Sequence, residues 1–338
     1  MRKNYDERQK SFIRSCTMAL LLMMVTVAIP VTAAETSLKK VSLIPLWSPQ
    51  AQFAGYYMAA EKGIYARHGI DVTIMNGGPG HSASEYLLGG KADFAVLWLA
   101  TALQHQSAGR RLVNVAQIIQ RSSMMLVARK TSGISTPESM QGRKVGVWPG
   151  DLALPVQAFF TKYHLNVRII PQSYTVNLFL CGGIDVASAM WYNEYHTIID
   201  SGVNSDELEL FFFKDHGITF PEDGLYTLEK NYRNDPAGAA AFTDASLEGW
   251  QYAFDHPDEA VMVVLRHMKT EHIPANRAHQ KWMLDRMHDL ILPPVGNKKM
   301  GQLNPSDFKS VGAELHRQGL IKTIPGFDDF TGRSDASK

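Results

Sequence analysis

The spacing of apolar and polar residues changes repeatedly over residues 41–74. Residues 41–46 are mostly apolar and predict a short buried strand, whereas apolar residues recur at helical spacing over 53–64. Gly69 suits the left-handed turn that ends a helix, and residues 70–74 alternate apolar with polar as a strand does. The order predicts a βαβ unit, which presents a ligand site at the carboxyl ends of its two parallel strands.

Apolar runs and helical patterns continue to alternate along the chain. Strands are predicted at residues 93–97, 112–119, 123–129, 145–147, 167–170, 184–190 and 225–228. From Asp235 onward the spacing is mainly helical, with Pro236 and Pro257 at helix starts. The fold class is therefore α/β, with mostly parallel sheets flanked by helices.

Two stretches predict where the chain passes between lobes. Residues 129–137 are rich in Lys, Thr, Ser, Gly and Pro, and residues 210–213 form an apolar run that suits the return. We therefore expect a discontinuous first lobe of residues 35–128 plus 213–338 and a second lobe of residues 129–212. The two passages would together form a hinge.

The amino terminus predicts export. Basic residues outnumber acidic ones over residues 2–14, an uncharged run follows over 16–31, and Thr-Ala-Ala precedes Glu35. This order is typical of a cleaved secretory signal, here residues 1–34, and the uncharged run is shorter than the roughly 20 residues of a bilayer span. We expect a periplasmic protein.

Composition argues against several classes of function. The net charge of +1 and the pI of about 7.8 give no basic surface for nucleic acid. Cys181 is the cysteine that follows the signal, so neither a disulfide nor a cysteine metal site is expected. G-x-S-x-G, P-loop and H-E-x-x-H motifs do not occur, and the histidines at 256, 267, 272, 279 and 288 are predicted on exposed helix faces. The sequence therefore predicts no enzyme, no metal and no cofactor.

Four tryptophans fall at predicted strand ends: Trp47, Trp98, Trp148 and Trp191. One tryptophan at such a position commonly packs in a core, but four at corresponding ends favour a stacking site for a flat ring. Asn193 and Glu194 add an amide and a carboxylate that can hydrogen-bond ring nitrogens or an amine. Further residues are expected at the same crevice because they follow predicted strands: Gln52, Phe53, Gly78, His81 and Asp151.

The turn after the second strand also fits a nucleotide motif. Residues 78–83 match G-x-G-x-x-A, but the strand beginning at Asp93 ends without the acidic residue that a ribose requires. A tight turn that directs backbone N–H groups into the crevice is the better interpretation.

Several motifs resemble those of one protein family. They are Trp47-Ser-Pro-Gln-Ala-Gln-Phe-Ala-Gly-Tyr-Tyr57, Glu61-Lys-Gly-Ile-Tyr-Ala-Arg-His-Gly-Ile-Asp-Val72, Leu88-Gly-Gly-Lys-Ala-Asp-Phe-Ala-Val96, Gly142-Arg-Lys-Val-Gly-Val147, Met190-Trp-Tyr-Asn-Glu194 and Pro221-Glu-Asp-Gly-Leu-Tyr226. Together they resemble the thiamine-precursor-synthase-like family of substrate-binding proteins. The resemblance implies the two-lobed type 2 periplasmic-binding fold, and a solute receptor of an ABC importer for aminopyrimidine thiamine precursors. It also implies that Glu222 and Tyr226 belong to the cleft.

The family includes enzymes that build the thiamine pyrimidine, and this sequence departs from them. Those enzymes carry a reactive Lys and His near the third strand and a cysteine-rich loop, where this chain has Leu97, Thr101 and residues 221–224. Leu97 has no amine for a Schiff base, so the resemblance favours binding over synthesis. If Glu222 and Asp223 face the cleft, they favour an amine-bearing ligand over a phosphate or sulfonate.

We therefore expect a monomeric receptor that closes around a small flat nitrogenous heterocycle and delivers it to an ABC permease in the inner membrane. A sulfonate, a nitrate or a riboflavin-like compound remains open as the ligand. A second hypothesis is a sensing subunit that passes ligand occupancy to a membrane kinase or cyclase.

Overall fold

The computed structural model describes residues 37–292 and 299–332. The predicted signal peptide of residues 1–34 lies outside these residues, and the side chain of Asp151 is also outside the description. None of the described helices combines the length and the apolarity that crossing a bilayer requires.

Two five-stranded sheets form the framework. The first contains β1 (Lys39–Ile44), β2 (Ile70–Ile74), β3 (Phe94–Trp98), β4 (Leu112–Gln117) and β10 (Asp223–Leu228), in the order β2-β1-β3-β10-β4. Strand β1 is parallel to β2 and β3, and β10 is antiparallel to β3 and β4. The βαβ unit predicted at the start of the chain is confirmed.

The second sheet repeats this plan. It contains β5 (Met124–Arg129), β6 (Lys144–Val147), β7 (Arg168–Pro171), β8 (Val186–Met190) and β9 (Leu208–Phe212), in the order β7-β6-β8-β5-β9. Strand β6 is parallel to β7 and β8, and β5 is antiparallel to β8 and β9. In each sheet the strand that runs antiparallel to its neighbours, β10 or β5, is therefore the fourth in spatial order. We call the part built on the first sheet the first lobe, and the part built on the second sheet the second lobe.

The two segments that connect the sheets differ from the predicted passages. The sequence pattern puts residues 123–129 in the first lobe, whereas β5 pairs with β8 and β9, so the chain enters the second lobe through residues 118–123. Strand β9 also belongs to the second sheet, so the return runs through residues 213–222 and not 210–213. An apolar run such as β5 would satisfy either sheet, and only its pairing with distant strands decides which one it joins.

Helices cover the sheets. They are α1 (Ala54–Glu61), α2 (Ile64–Arg67), α3 (Ala83–Leu88), α4 (Leu99–Ser107), α5 (Ala153–Lys162), α6 (Asn177–Leu180), α7 (Glu194–Asp200), α8 (Glu229–Asn234), α9 (Pro236–Asp255), α10 (Pro257–Thr270), α11 (Arg277–Ile291), α12 (Pro305–Arg317) and α13 (Phe327–Phe330). The side chains of Ser82 and Asp235 cap α3 and α9. The helix predicted over 53–64 is interrupted at Gly63, whose φ of 62° places it in the left-handed region.

Two of the short 3-10 helices carry residues toward the space between the lobes. Ala51–Phe53 comes after β1, and Gly150–Leu152 comes after β6. In the first lobe α9 packs closely on α1, where a Cβ added to Gly55 would lie 2.3 Å from the ring of the buried Trp250. This close contact fixes α1, and with it the segment that leads from β1 to the cavity.

Candidate functional site

A cavity of about 440 Å³ lies between the two lobes, at the carboxyl ends of their strands. The first lobe contributes Leu46, Trp47, Gln50, Gln52, Ser82, Trp98 and Thr101. The second lobe contributes Trp148, Pro149, Leu152, Tyr174, Met190, Tyr192, Asn193 and Glu194. The loops and helix starts that follow parallel strands thus converge from both sides, as the topology of such sheets requires.

Six of the predicted site residues line this cavity: Trp47, Gln52, Trp98, Trp148, Asn193 and Glu194. Tyr174 and Tyr192 line it as well and were not predicted. Tyr192 lies two residues after the end of β8, and its place directly before Asn193 and Glu194 could have identified it. Tyr174 lies in the loop after β7, where no periodic signal marks it.

Aromatic rings form much of the cavity wall. Trp98 and Trp148 are buried, and the Trp148 indole N–H donates to the Ser173 carbonyl at 3.1 Å, which fixes its ring. Trp47 of the first lobe meets Tyr174 of the second edge to face, with ring centroids 4.7 Å apart. Rings presented from both lobes can enclose a flat ligand by stacking and edge contacts.

Glu194 brings a buried carboxyl to the wall of the second lobe. Its Oε2 accepts from the Met190 N–H at 3.0 Å, and its Oε1 accepts from Asn193 Nδ2 at 2.9 Å. Burial raises the pKa of Glu194 to about 7, although the hydrogen bonds from Met190 and Asn193 lower it in part. Because a carboxyl oxygen has two lone pairs, Glu194 can still accept a donor from a ligand.

Gln52 connects the cavity to a second buried carboxyl, Asp223. Gln52 Nε2 donates to Asp223 Oδ2 at 2.7 Å. Burial raises the pKa of Asp223 to about 7, while the side chains of Gln52 and Trp98 lower it in part. Asp223 lies behind the cavity wall and reaches the cavity through Gln52.

Glu222 joins the two segments that connect the lobes. It ends the 213–222 segment, and its carboxyl accepts from the Ser123 N–H at 2.6 Å, the Ser123 hydroxyl at 2.8 Å and the Ser122 hydroxyl at 3.3 Å. Gln117 Nε2 adds a hydrogen bond to the Glu222 carbonyl at 3.0 Å. Burial raises the pKa of Glu222 to about 8, and the bonds from Ser123 lower it in part. Glu222 therefore links one connecting segment to the other and does not lie on the cavity wall.

Other predicted site residues also lie away from the cavity wall. Phe53 and Tyr226 are fully buried in the core, which accounts for their apolar and aromatic character. Gly78 and His81 pair across a tight turn that leaves His81 exposed. The backbone of Asp151 lies in the helix Gly150–Leu152, and α5 begins after it at Ala153.

Trp191 faces away from the cavity. Its ring meets Phe212 edge to face at 5.9 Å, and the Arg286 guanidinium lies 4.7 Å from its centroid. Residues 191–193 form a turn after β8, and within it Tyr192 lines the cavity whereas Trp191 does not. Three of the four tryptophans predicted to converge therefore do so.

Two lobes of matching topology, joined by two segments and enclosing a cavity at their strand ends, define the two-lobed α/β fold of periplasmic substrate-binding proteins. The periplasmic aliphatic sulphonate binding protein SsuA from Escherichia coli has this fold. Its TM-score is 0.67 at 13% identity, and the match covers 86% of this chain and 91% of that chain. The predicted fold class is confirmed.

The chain belongs to the NMT1/THI5-like family, whose model matches residues 50–260. The family predicted from the motifs is thereby confirmed. The formylaminopyrimidine-binding protein of Halalkalibacterium halodurans is 22% identical over 275 residues, which are 78% of this chain and 82% of that protein. The riboflavin-binding protein RibY of Chloroflexus aurantiacus is 25% identical over 244 residues, which are 69% of this chain and 68% of that protein.

Proposed function

We propose that this chain is the solute-binding component of an ABC importer, and that it binds a small amine-bearing heterocycle of the aminopyrimidine class between its lobes. The observation that carries this proposal is the chemistry of the cavity. Aromatic rings from both lobes stand beside the Glu194 carboxyl, and no Lys, Arg or His is among the described residues that line the cavity.

Each part of an aminopyrimidine has a counterpart in this wall. The flat ring would lie among Trp98, Trp148 and Tyr192, where stacking and edge contacts are available. An exocyclic amine would donate to Glu194, and the Asn193 amide could serve a ring nitrogen. A relative that is named for binding formylaminopyrimidine supports this assignment.

The same wall argues against an anionic ligand. A sulfonate would lie beside the Glu194 carboxyl with Asp223 behind the wall, and the lining offers it no cationic side chain within the described residues. Like charges in a buried site repel, and an anion without a partner is costly to desolvate. A flavin is a neutral aromatic ligand and is therefore the more serious competitor, since one relative is named for binding riboflavin.

Hinge closure is the proposed mechanism. The connecting segments 118–123 and 213–222 would act as the hinge, because they alone join the two sheets along the described chain. A ligand bound to one lobe recruits rings and polar groups from the other and so stabilises the closed form. The contact between Trp47 and Tyr174 is one that closure would form.

The proposed setting is the periplasm, reached through the predicted signal of residues 1–34, with delivery of the ligand to an inner-membrane permease by a monomeric receptor. We propose binding and not catalysis, because the described cavity wall carries neither the amine of a lysine nor the thiol or imidazole of a covalent catalyst. A sensing role for a membrane kinase or cyclase would use the same cavity. A permease gene found beside the gene for this chain would favour import, and a gene for a membrane signalling protein would favour sensing.

Calorimetric titration tests the ligand class. The purified chain is titrated with a 4-aminopyrimidine, with the matched 4-hydroxypyrimidine that lacks the amine, with an alkanesulfonate and with riboflavin. We expect the aminopyrimidine to bind most tightly, with an affinity about ten-fold weaker in Glu194→Gln, since one charge-assisted hydrogen bond is worth about 1.4 kcal/mol or more.

Glu138→Gln is the matched control, because Glu138 is exposed and lies outside the cavity. It should leave the affinity unchanged. Tight binding of the sulfonate or of riboflavin alone would contradict the proposed ligand class, and equal binding of the amino and hydroxy compounds would exclude Glu194 as the group that accepts the amine.

A further inference from the structure

Two histidines and an aspartate meet outside the cavity, where α7 of the second lobe faces α11. His196 and Asp200 are four residues apart on α7, so they share one face of the helix. The His196 Nδ1 lies 3.0 Å from His279 Nδ1 and 3.4 Å from Asp200 Oδ2. His279 was predicted on an exposed helix face, but it is partly buried against α7.

Hydrogen bonds fix the tautomer of His279. Asn193 Nδ2 donates to the Glu194 carboxyl, so the Asn193 Oδ1 faces His279 Nε2 at 3.0 Å. An amide oxygen only accepts, so His279 Nε2 carries the proton and the Nδ1 of the neutral ring presents a lone pair. That lone pair is directed at His196. A ring N–H held by an oxygen, with a lone pair on the other nitrogen, is the arrangement that metal-binding histidines have.

The distances suit a small divalent cation. Two ligands at about 2.1 Å from a tetrahedral zinc ion are about 3.4 Å apart. The three ligand atoms of His196, Asp200 and His279 all lie within 4.8 Å of one another, and the exposed Asp200 carboxylate can rotate to close the remaining gap. The Trp282 ring stacks on His196 with centroids 4.9 Å apart and holds that imidazole in place.

From this geometry we infer that His196, Asp200 and His279 form a binding site for a divalent transition-metal ion such as Zn²⁺. Two imidazoles and one carboxylate supply three ligands, and water completes a tetrahedral shell. The alternative is a direct hydrogen bond in which His196 Nδ1–H donates to His279 Nδ1, with no ion involved.

A metal at this position ties the two lobes together. Helix α7 follows β8 of the second sheet, whereas α11 is attached to the first lobe, since the Gln280 side chain accepts from the Ala51 N–H at 2.7 Å. The same ion also acts on the cavity wall, because His279 holds the amide of Asn193, which lines the cavity. The site would therefore stabilise the arrangement in which the lobes are close.

Metal titration without any organic ligand tests this inference independently of the proposed heterocycle. The purified chain is stripped with EDTA, the chelator is removed, and Zn²⁺ is titrated against a chromophoric chelator. We expect one equivalent to bind, and the affinity to fall at least about ten-fold in Asp200→Asn and in His279→Gln. Co²⁺ should give visible absorption bands in the wild type that both variants lose.

His288→Gln is the matched control, because His288 is an exposed histidine on the same helix α11. It should bind Zn²⁺ as the wild type does. If His279→Gln fails to fold by circular dichroism, Asp200→Asn decides the matter, since Asp200 is exposed and asparagine has nearly the same size and shape. Absence of stoichiometric Zn²⁺ binding in the wild type, or equal binding in both ligand variants, would overturn the inference and leave a histidine–histidine hydrogen bond.

Discussion

Replacement of Glu222 by glutamine should change how the free energy of unfolding depends on pH. Glu222 is 1% exposed, and its carboxyl is held by the N–H and hydroxyl of Ser123. Burial raises its pKa to about 8 from the ordinary value of 4.5, and the neighbouring Asp223 adds to the rise. The folded protein therefore keeps a proton on Glu222 at pH values where the unfolded chain has lost it.

The direction and the size of this pH dependence follow from proton linkage. A pKa that is raised by folding gives stability that is fully present below pH 4.5 and is lost as the pH rises through about 8. The slope for one proton is about 1.4 kcal/mol per pH unit, so the wild type should lose about 3 kcal/mol between pH 5 and pH 7 from this group. Glu222→Gln mimics the protonated carboxyl and lacks that loss.

Urea unfolding at pH 5, 6, 7 and 8 measures the difference. Groups other than Glu222 titrate in both proteins and cancel when the variant is compared with the wild type. The free energy of unfolding of the variant, taken relative to that of the wild type, should rise by about 3 kcal/mol from pH 5 to pH 7. For the exposed control Glu138→Gln the difference from the wild type should stay constant with pH. A constant difference for Glu222→Gln would refute the reasoning, because it would mean that the serine hydrogen bonds keep Glu222 ionised in the folded protein.

Two further predictions concern packing around the site. Gln52→Ala removes the donor to the buried Asp223 carboxyl and should lower the free energy of unfolding by about 1–3 kcal/mol. Gln50 donates to the side chain of Gln52, so Gln50→Ala should lower the free energy of unfolding by less in the same urea assay. Gly55→Ala places a Cβ 2.3 Å from the Trp250 ring and should lower the free energy of unfolding by about 1–3 kcal/mol. An unchanged midpoint for Gly55→Ala would show that α1 and α9 can move apart without penalty.

The elements could be predicted from the sequence because their signals are local. The alternation of residues 70–74, the caps at Ser82 and Asp235 and the apolar run at 124–129 each depend on a few neighbouring residues. Which sheet the strand 124–129 joins could not be predicted in this way. Its partners are β8 and β9, some 60 or more residues further along the chain, and its apolar composition suits either core.

Side-chain direction limited the prediction of the site. The motif around Trp191 was correctly placed at a strand end, but the turn of residues 191–193 decides which side chain lines the cavity. Tyr192 lines it, and Trp191 packs against Arg286. The cluster at His279 had no sequence signal of its own, because His196 lies 83 residues away and only the packing of α7 on α11 brings the rings together.

The buried carboxyls explain why closure should depend on the ligand. Glu194 and Asp223 are held by neutral donors, the Met190 N–H and the Asn193 and Gln52 amides. Neutral donors offset only part of the free energy that is lost when a carboxyl leaves water, so closing the lobes on an empty cavity is penalised. A ligand with an amine supplies the missing donor to Glu194 while its ring covers the aromatic wall, and both gains exist only when the lobes are together. An anion would add to the penalty, so the electrostatics that oppose empty closure also select the ligand.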